Sequence, residues 1–400
     1  MPINSRAFWE RFAAGPLLAM LASCNYDPNA TRFVEHWVSR HVLPYLGPHP
    51  GGYSAEAPPV SFMCDDGSPI EFSWAVDRWG KTVVRFAVEP LNALARGGAL
   101  PAVNPTALIE RMQAEGIVSH LDMHWFDVCK DVLTIDCDST VRANLASRHA
   151  LPHQSQYFIG YDVSKTGQPA LKGYFVPALC AAATGKAQAV LIGEACARLG
   201  LQRPWNILSD FITRCTIAPS LDIVAVDFVP AAENRMKVYV RLTPEQMSFD
   251  CLRHYFTLGG RLQSQAIDTA LDAVWSIWQL LFGPCQTARR IKPLHNQGAA
   301  TAALCMYYDL RQGAPLPAPK VYIPVRHYCA TDAAVSNAME RFFASRGNIN
   351  GARRHGEDFR RIFKHLRPEQ RNGIHTYVAC AVKREDYEIS TYYSPCAFSQ

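Results

Sequence analysis

The chain has 400 residues, 48% of them hydrophobic and 19% charged, with a net charge of +5. This length supports either one large barrel or two average domains, and the absence of a Lys/Arg-rich block argues against a nucleic-acid footprint. No apolar run reaches the ~20 residues of a membrane span. Thirteen cysteines without a Cys-x-x-Cys read as a reduced cytoplasmic chain rather than a disulfide framework or zinc site.

Two helical stretches come first, near 5–22 and 30–44. The segment Ala13–Cys24 resembles a signal h-region, but Glu10 and Arg11 directly precede it, so an amphipathic first helix is expected. The second stretch carries Phe33, Val34, Trp37, Val38 and Leu43 at helical spacing. Strands follow near 68–76 and 82–89, joined at Arg78-Trp79-Gly80. Helices are predicted near 105–115, started by Asn104-Pro105, and 121–133; strands follow near 157–163 and 170–176. The next unit reads as helices near 186–199 and 204–215, then strands near 222–229 and 235–241. Helices near 249–256 and 264–282 precede strands near 303–310 and 320–326. Helices near 332–346 and 357–366 precede the last strands, near 374–382 and 386–393.

Five units of two helices and two strands emerge, repeated in structure but not in sequence. Hairpin-linked pairs favour an antiparallel sheet, and ten such strands can close. The expected fold is α+β: a single closed ten-stranded antiparallel β-barrel ringed by helices, with residues 1–400 as one domain.

Three of the strands repeat a phrase, Lys-x-Tyr: Lys172-Gly173-Tyr174, Lys237-Val238-Tyr239 and Lys320-Val321-Tyr322. Residues i and i+2 of a strand share a face, so each strand offers an ammonium and a phenol to one surface. Arg235 extends the second phrase. Arg85, between apolar neighbours in Val83–Val88, adds a fourth cationic strand. One copy alone reads as a solvated face, since lysine is rarely buried without a partner. Three copies with two arginines point to a lumen. Converging cations suit a diphosphate, and converging tyrosine faces suit a carbocation.

In Pro69–Trp74 the alternation turns Ile70, Phe72 and Trp74 toward the helices and Glu71 and Ser73 toward the lumen. A carboxylate in an apolar barrel must be partnered or functional. A Glu71–Arg85 salt bridge is one reading. The other makes Glu71 an acceptor or base toward an aromatic N–H or O–H. Lys172 is a second candidate base, because burial near other cations depresses a lysine. Metal chemistry finds little support: Asp-Asp-x-x-Asp is absent, Asp65-Asp66 reads as a solvated pair beside a turn, and His120 and His124 read as a helix surface.

Six segments carry a family resemblance: DGSPIEFSW (66–74), VRFAVEPL (84–91), GYDVSKTGQPALKGYFVP (160–177), RMKVYVR (235–241), TLGGRL (257–262) and PAPKVYIPV (317–325). The chain resembles the fungal dimethylallyltryptophan synthase family of aromatic prenyltransferases from about residue 30 onward. The resemblance implies a ten-stranded barrel of ααββ repeats and transfer of a dimethylallyl group from its diphosphate to an indole-type ring, without a metal or other cofactor. It implies diphosphate binding by Arg85, Lys172, Arg235, Lys237 and Lys320, a carbocation shield of Tyr174, Tyr239 and Tyr322, and contact of Glu71 with the acceptor N–H. At the C-terminus Asp386–Tyr393 is one residue longer than the family spacing, so Tyr387 and Tyr392 both stand as shield candidates.

The expected partners are dimethylallyl diphosphate and an aromatic small molecule. Nucleic acid and membrane are not expected; a homodimer is left open. Two alternatives to the indole acceptor are a phenolic polycycle and a non-enzymatic isoprenoid-binding barrel.

Overall fold

A computed structural model describes residues 5–49, 61–91, 105–119, 121–136, 139–295, 299–383 and 385–399. Asn104 and His120, named above, lie outside the described residues.

The ten strands are β1 (Ile70–Asp77), β2 (Thr82–Val88), β3 (Tyr157–Val163), β4 (Pro169–Phe175), β5 (Ser220–Asp227), β6 (Met236–Arg241), β7 (Cys305–Leu310), β8 (Ala318–Ile323), β9 (His375–Lys383) and β10 (Asp386–Tyr393). Each pairs antiparallel with its sequence neighbours, and β1 pairs with β10 to close the barrel. Closure leaves no sheet edge. The period-2 alternation sorts the side chains: Ile70, Phe72, Trp74, Val84 and Phe86 are buried on the helix side. There Trp37, from the helix Pro28–His41, stacks on Phe86 with ring centroids 5.9 Å apart and donates its indole N–H to the Gly167 carbonyl at 3.1 Å.

Helices precede every hairpin, as the pattern predicts, with additions, two of them ahead of and behind the second hairpin. The Ala-rich stretch Ala178–Thr184 is helical and stops at Gly185, whose φ of +69° caps it. Ser139–Arg148 is helical too, although its apolar residues mark no clear stripe. The first helical stretch contains a π-helical turn at Glu10–Ala14 just before Pro16. Proline has no N–H to continue the ladder, and the widened turn absorbs the gap. Leu17, Met20 and Leu21 of this stretch are fully buried, while Glu10 and Arg11 before them are exposed. No helix of the described residues is long and apolar enough to cross a membrane. The described cysteines are all free thiols.

Candidate active site

The cations of the Lys-x-Tyr phrases converge at one end of the lumen. Arg85 (β2), Lys172 (β4), Arg235 and Lys237 (at and in β6) and Lys320 (β8) line one cavity, joined by Lys383 on β9. They arrive with carboxylates. Across neighbouring strands Arg85 is opposite Asp162, Lys172 opposite Asp227 and Lys237 opposite Asp309. Arg85 Nη1 and Nη2 bind the two oxygens of Glu388 at 2.9 and 3.2 Å, and its Nε is 3.1 Å from Asp162. Lys172 Nζ also bonds Asp162. Asp227 bridges two cations, accepting from Arg235 Nε at 2.9 Å and Lys237 Nζ at 2.6 Å. Arg235 Nη1 reaches Asp309 at 2.6 Å.

Of the two readings of Glu71, the Glu71–Arg85 salt bridge does not form: Glu388 and Asp162 occupy Arg85 instead. Asp162, Asp227, Asp309 and Glu388 are among the residues the sequence reading missed. Their signal was present, since Asp162, Asp227 and Asp309 are single carboxylates in apolar strand contexts, as Arg85 is a single cation in one. Burial alone would raise Asp227 and Glu388, but the cations hold both well below the usual carboxylate range. Burial and then the Arg235 charge push Lys237 down to about 7, against the pull of Asp227. Lys320, 2% exposed, is depressed chiefly by burial.

Next along the lumen come the tyrosines. Tyr239 lies 5.9 Å from Tyr322 and 6.3 Å from Tyr174 between ring centroids, and Tyr322 lies 5.3 Å from Tyr392. Tyr307, on β7, joins them at 5.3 Å from Tyr239. Tyr174 stacks on Phe158 at 4.6 Å, across Gly160, where a Cβ would meet the Tyr174 ring at 2.8 Å. This layer already holds a cation. Lys320 Nζ sits 5.7, 5.0 and 5.3 Å from the ring centroids of Tyr307, Tyr322 and Tyr392, and donates to Tyr392 Oη at 2.9 Å.

Tyr387 is not part of the layer. On β10 Glu388 and Ser390 meet lumenal cations and Tyr392 lines the lumen, so the alternation turns Tyr387 outward, into the core beneath the helices. Of the two C-terminal candidates, only Tyr392 faces the site.

Beyond the tyrosines is a more apolar cavity of about 140 Å³, walled by Phe62, Met63, Ala87, Phe158, Ile223 and Cys305 among others. Glu71 and the tyrosines 174, 239, 322 and 392 line both cavities and so form the seam between them. Glu71 Oε1 accepts from Thr376 Oγ1 at 2.6 Å. Burial raises the carboxyl to about 7, with the Thr376 bond opposing. Thr376 and Tyr377 are consecutive, yet both reach this cavity. The β9–β10 register slips there: Thr391 pairs with Val378 and Tyr393 with His375, so β9 carries an extra residue. Such a bulge lets successive side chains share a face.

Asp65, exposed at the residue level, is nonetheless partnered. It pairs with Arg326 at 3.2 Å and accepts from Thr301 at 2.9 Å. Asp66 instead ties down the C-terminal segment, accepting from the Phe398 N–H at 3.2 Å. Among the described residues no cluster of three or more His, Cys, Asp or Glu could hold a metal ion.

Residues 5–358 match the family model described as tryptophan dimethylallyltransferase. A 4-O-dimethylallyl-L-tyrosine synthase from Claviceps purpurea is 31% identical, with 98% of this chain and 89% of that one covered. A 7-dimethylallyltryptophan synthase from Aspergillus fumigatus is 27% identical, covering 98% and 85%. Among solved structures, AnaPT from Neosartorya fischeri superposes with a TM-score of 0.80 at 23% identity, covering 98% of this chain and 94% of that one. NotF, solved with brevianamide F and DMSPP, gives 0.79 at 22%, covering 98% and 95%. At these identities the structures speak to the barrel fold.

Proposed function

The chain belongs to the tryptophan dimethylallyltransferase family and is a prenyltransferase, and on that premise we propose that it moves a dimethylallyl group from dimethylallyl diphosphate to an indole or phenol ring without a catalytic metal. What supports this most is the order along the lumen: cations, then a tyrosine cage already holding an ammonium, then Glu71, then an apolar chamber.

In this reading Arg85, Lys172, Arg235, Lys237 and Lys320 bind the diphosphate and stabilise its charge as the C–O bond breaks. Carboxylates hold the first four, and the hydroxyls of Ser390 and Tyr392 hold Lys320, oriented before the substrate arrives. Tyr174, Tyr239, Tyr322 and Tyr392 face the allyl cation and exclude water. Glu71 accepts the acceptor's N–H or O–H hydrogen, which enriches the ring or oxygen that attacks. The new bond forms to the allyl carbon, inorganic diphosphate leaves, and the displaced hydrogen departs as a proton. Lys172 is assigned to the diphosphate rather than to that last proton transfer, because its Nζ is tied to Asp162.

An indole was the acceptor first expected. A phenolic acceptor has support of its own: the 31%-identical relative is named for a tyrosine oxygen, and a carboxyl near 7 is poised to take an O–H proton at neutral pH. Incubation with dimethylallyl diphosphate and a panel of indoles and phenols, read by mass, tests the proposal. The expected result is a mass gain on an acceptor with matching release of diphosphate. Binding of the diphosphate without release in the presence of every acceptor would mark a carrier instead.

A further inference from the structure

We propose that Lys320 is a catalytic acid: its ammonium hands a proton to the departing diphosphate, so that one positive charge passes from Nζ to the allyl group inside the tyrosine cage. This rests on the transfer reading above and adds a chemical step to a residue assigned there to binding.

Lys320 is held unlike the other four cations. Arg85, Lys172, Arg235 and Lys237 each bond a carboxylate. Lys320 Nζ donates instead to two neutral hydroxyls, Ser390 Oγ at 3.1 Å and Tyr392 Oη at 2.9 Å, and among the described residues no carboxylate pairs with it. Its place differs too. Among the described residues Lys320 alone of the five lies over rings of the cage, at 5.7, 5.0 and 5.3 Å from the centroids of Tyr307, Tyr322 and Tyr392. It also lines the cation cavity, whereas Tyr322 and Tyr392 line the apolar chamber as well. Nζ therefore stands at the boundary where the C–O bond of a bound substrate has to lie.

An allyl cation forming among these rings would be repelled by an ammonium already there, at short range and away from bulk water. Lys320 can relieve that repulsion by giving up its proton. Burial, the largest influence on it, disfavours the charged form, as do the charges of Arg85, Lys383 and Lys172, while Glu388 favours it. An arriving diphosphate favours the ammonium, and its departure from carbon takes the proton away. In that step the C–O bond breaks with its electron pair on the diphosphate oxygen. The oxygen takes a proton from Nζ, whose N–H pair stays on nitrogen as a neutral amine. The cage holds one positive charge before and after. The proton displaced from the acceptor restores the ammonium, and the protonated diphosphate leaves.

Three dimethylallyl esters, given to the full chain, test the step. One is the diphosphate; the methylene bisphosphonate leaves a more basic anion, and the difluoromethylene bisphosphonate a less basic one. Lys320→Arg keeps a charge and its donors but does not release a proton. Its affinity for inorganic diphosphate should stay within about 3-fold of wild type. Its single-turnover cleavage of dimethylallyl diphosphate should fall on the order of 10²–10⁴. The deficit should widen with the methylene ester and narrow with the difluoromethylene ester. An equal deficit on all three, or wild-type cleavage by Lys320→Arg, overturns the proton transfer and leaves Lys320 a binding charge. A deficit that varies in this way in Lys237→Arg and not in Lys320→Arg gives the proton to Lys237 and overturns it as well. The wild-type protein decides even if the variant does not fold. On a fluorinated dimethylallyl diphosphate, for which C–O cleavage is the slow step, the rate should be roughly 2-fold lower in deuterium oxide. Equal rates in the two solvents overturn the acid role. Release of no leaving group from any ester with any acceptor would instead refute the transfer reading.

Discussion

Thr376 Oγ1 donates to Glu71 Oε1 across 2.6 Å, at the seam where the two lumenal cavities meet. The bond joins β1 to a bulge on β9, and it is the strongest influence opposing burial on that carboxyl.

The first prediction concerns that carboxyl. Its value is raised to about 7, so the ionised acceptor form is lost as pH falls through neutrality. Turnover should therefore rise with pH to a plateau above about 7. Thr376→Val removes the bond that lowers the value, and the acidic limb should move to higher pH. Glu71→Gln should cost on the order of 10²–10⁴ in kcat and abolish the limb. Near-normal turnover in a folded Glu71→Gln protein would leave the residue without a chemical role.

How much of this was legible in the sequence follows from period 2. Every strand was found within a few residues, and Arg85, Lys237 and Lys320 reached the lumen, because alternation along a strand is local information. The partners of those cations were not read. That Arg85 meets Glu388 depends on β1 closing onto β10, and no local pattern encodes this. Thr376 was missed for a related reason: the bulge puts it and Tyr377 on one side, against the alternation. Tyr387 was weighed as a lumenal residue from its resemblance to a motif, yet the phase fixed by Glu388 turns it outward.

A second prediction uses Lys237. Burial first, then Arg235, lowers it to about 7 from an ordinary value near 10.5, so its ammonium is present below that pH and lost above it. KM for dimethylallyl diphosphate should climb as pH passes upward through neutrality. Lys237→Arg, which stays charged, should flatten the climb. Lys237→Ala and Arg235→Ala should each weaken the diphosphate roughly 10- to 100-fold while barely moving acceptor affinity. Equal losses for both substrates would refute the assignment.

Metal removal gives the third test. Side-chain cations take the place of magnesium in the proposed diphosphate site, so turnover should persist in excess EDTA. Activity abolished by EDTA and restored by magnesium would mean that the arginines and lysines are not sufficient to hold the diphosphate.

The last prediction tests the tyrosine cage, and the cation it already holds sharpens it. Lys320 Nζ lies over Tyr307, Tyr322 and Tyr392, while Tyr239 closes the same group of rings at 5.3 Å from Tyr307 and 5.9 Å from Tyr322. Tyr239→Phe keeps the ring face and should be mild. Tyr239→Ala loses ~0.5–2 kcal/mol of cation–π attraction and opens a gap through which water reaches the allyl cation. The variant should still cleave the diphosphate, but divert part of the product to prenyl alcohol. The ratio of alcohol to prenylated acceptor is the quantity to measure. It should rise in Tyr239→Ala and stay near the wild-type ratio in Tyr239→Phe and in Tyr387→Ala, whose side chain lies outside the lumen. A folded, active Tyr239→Ala protein with the wild-type ratio would remove Tyr239 from the shield. A rise in Tyr387→Ala as large as in Tyr239→Ala would mean that loosening the barrel, rather than uncovering the cation, lets water in.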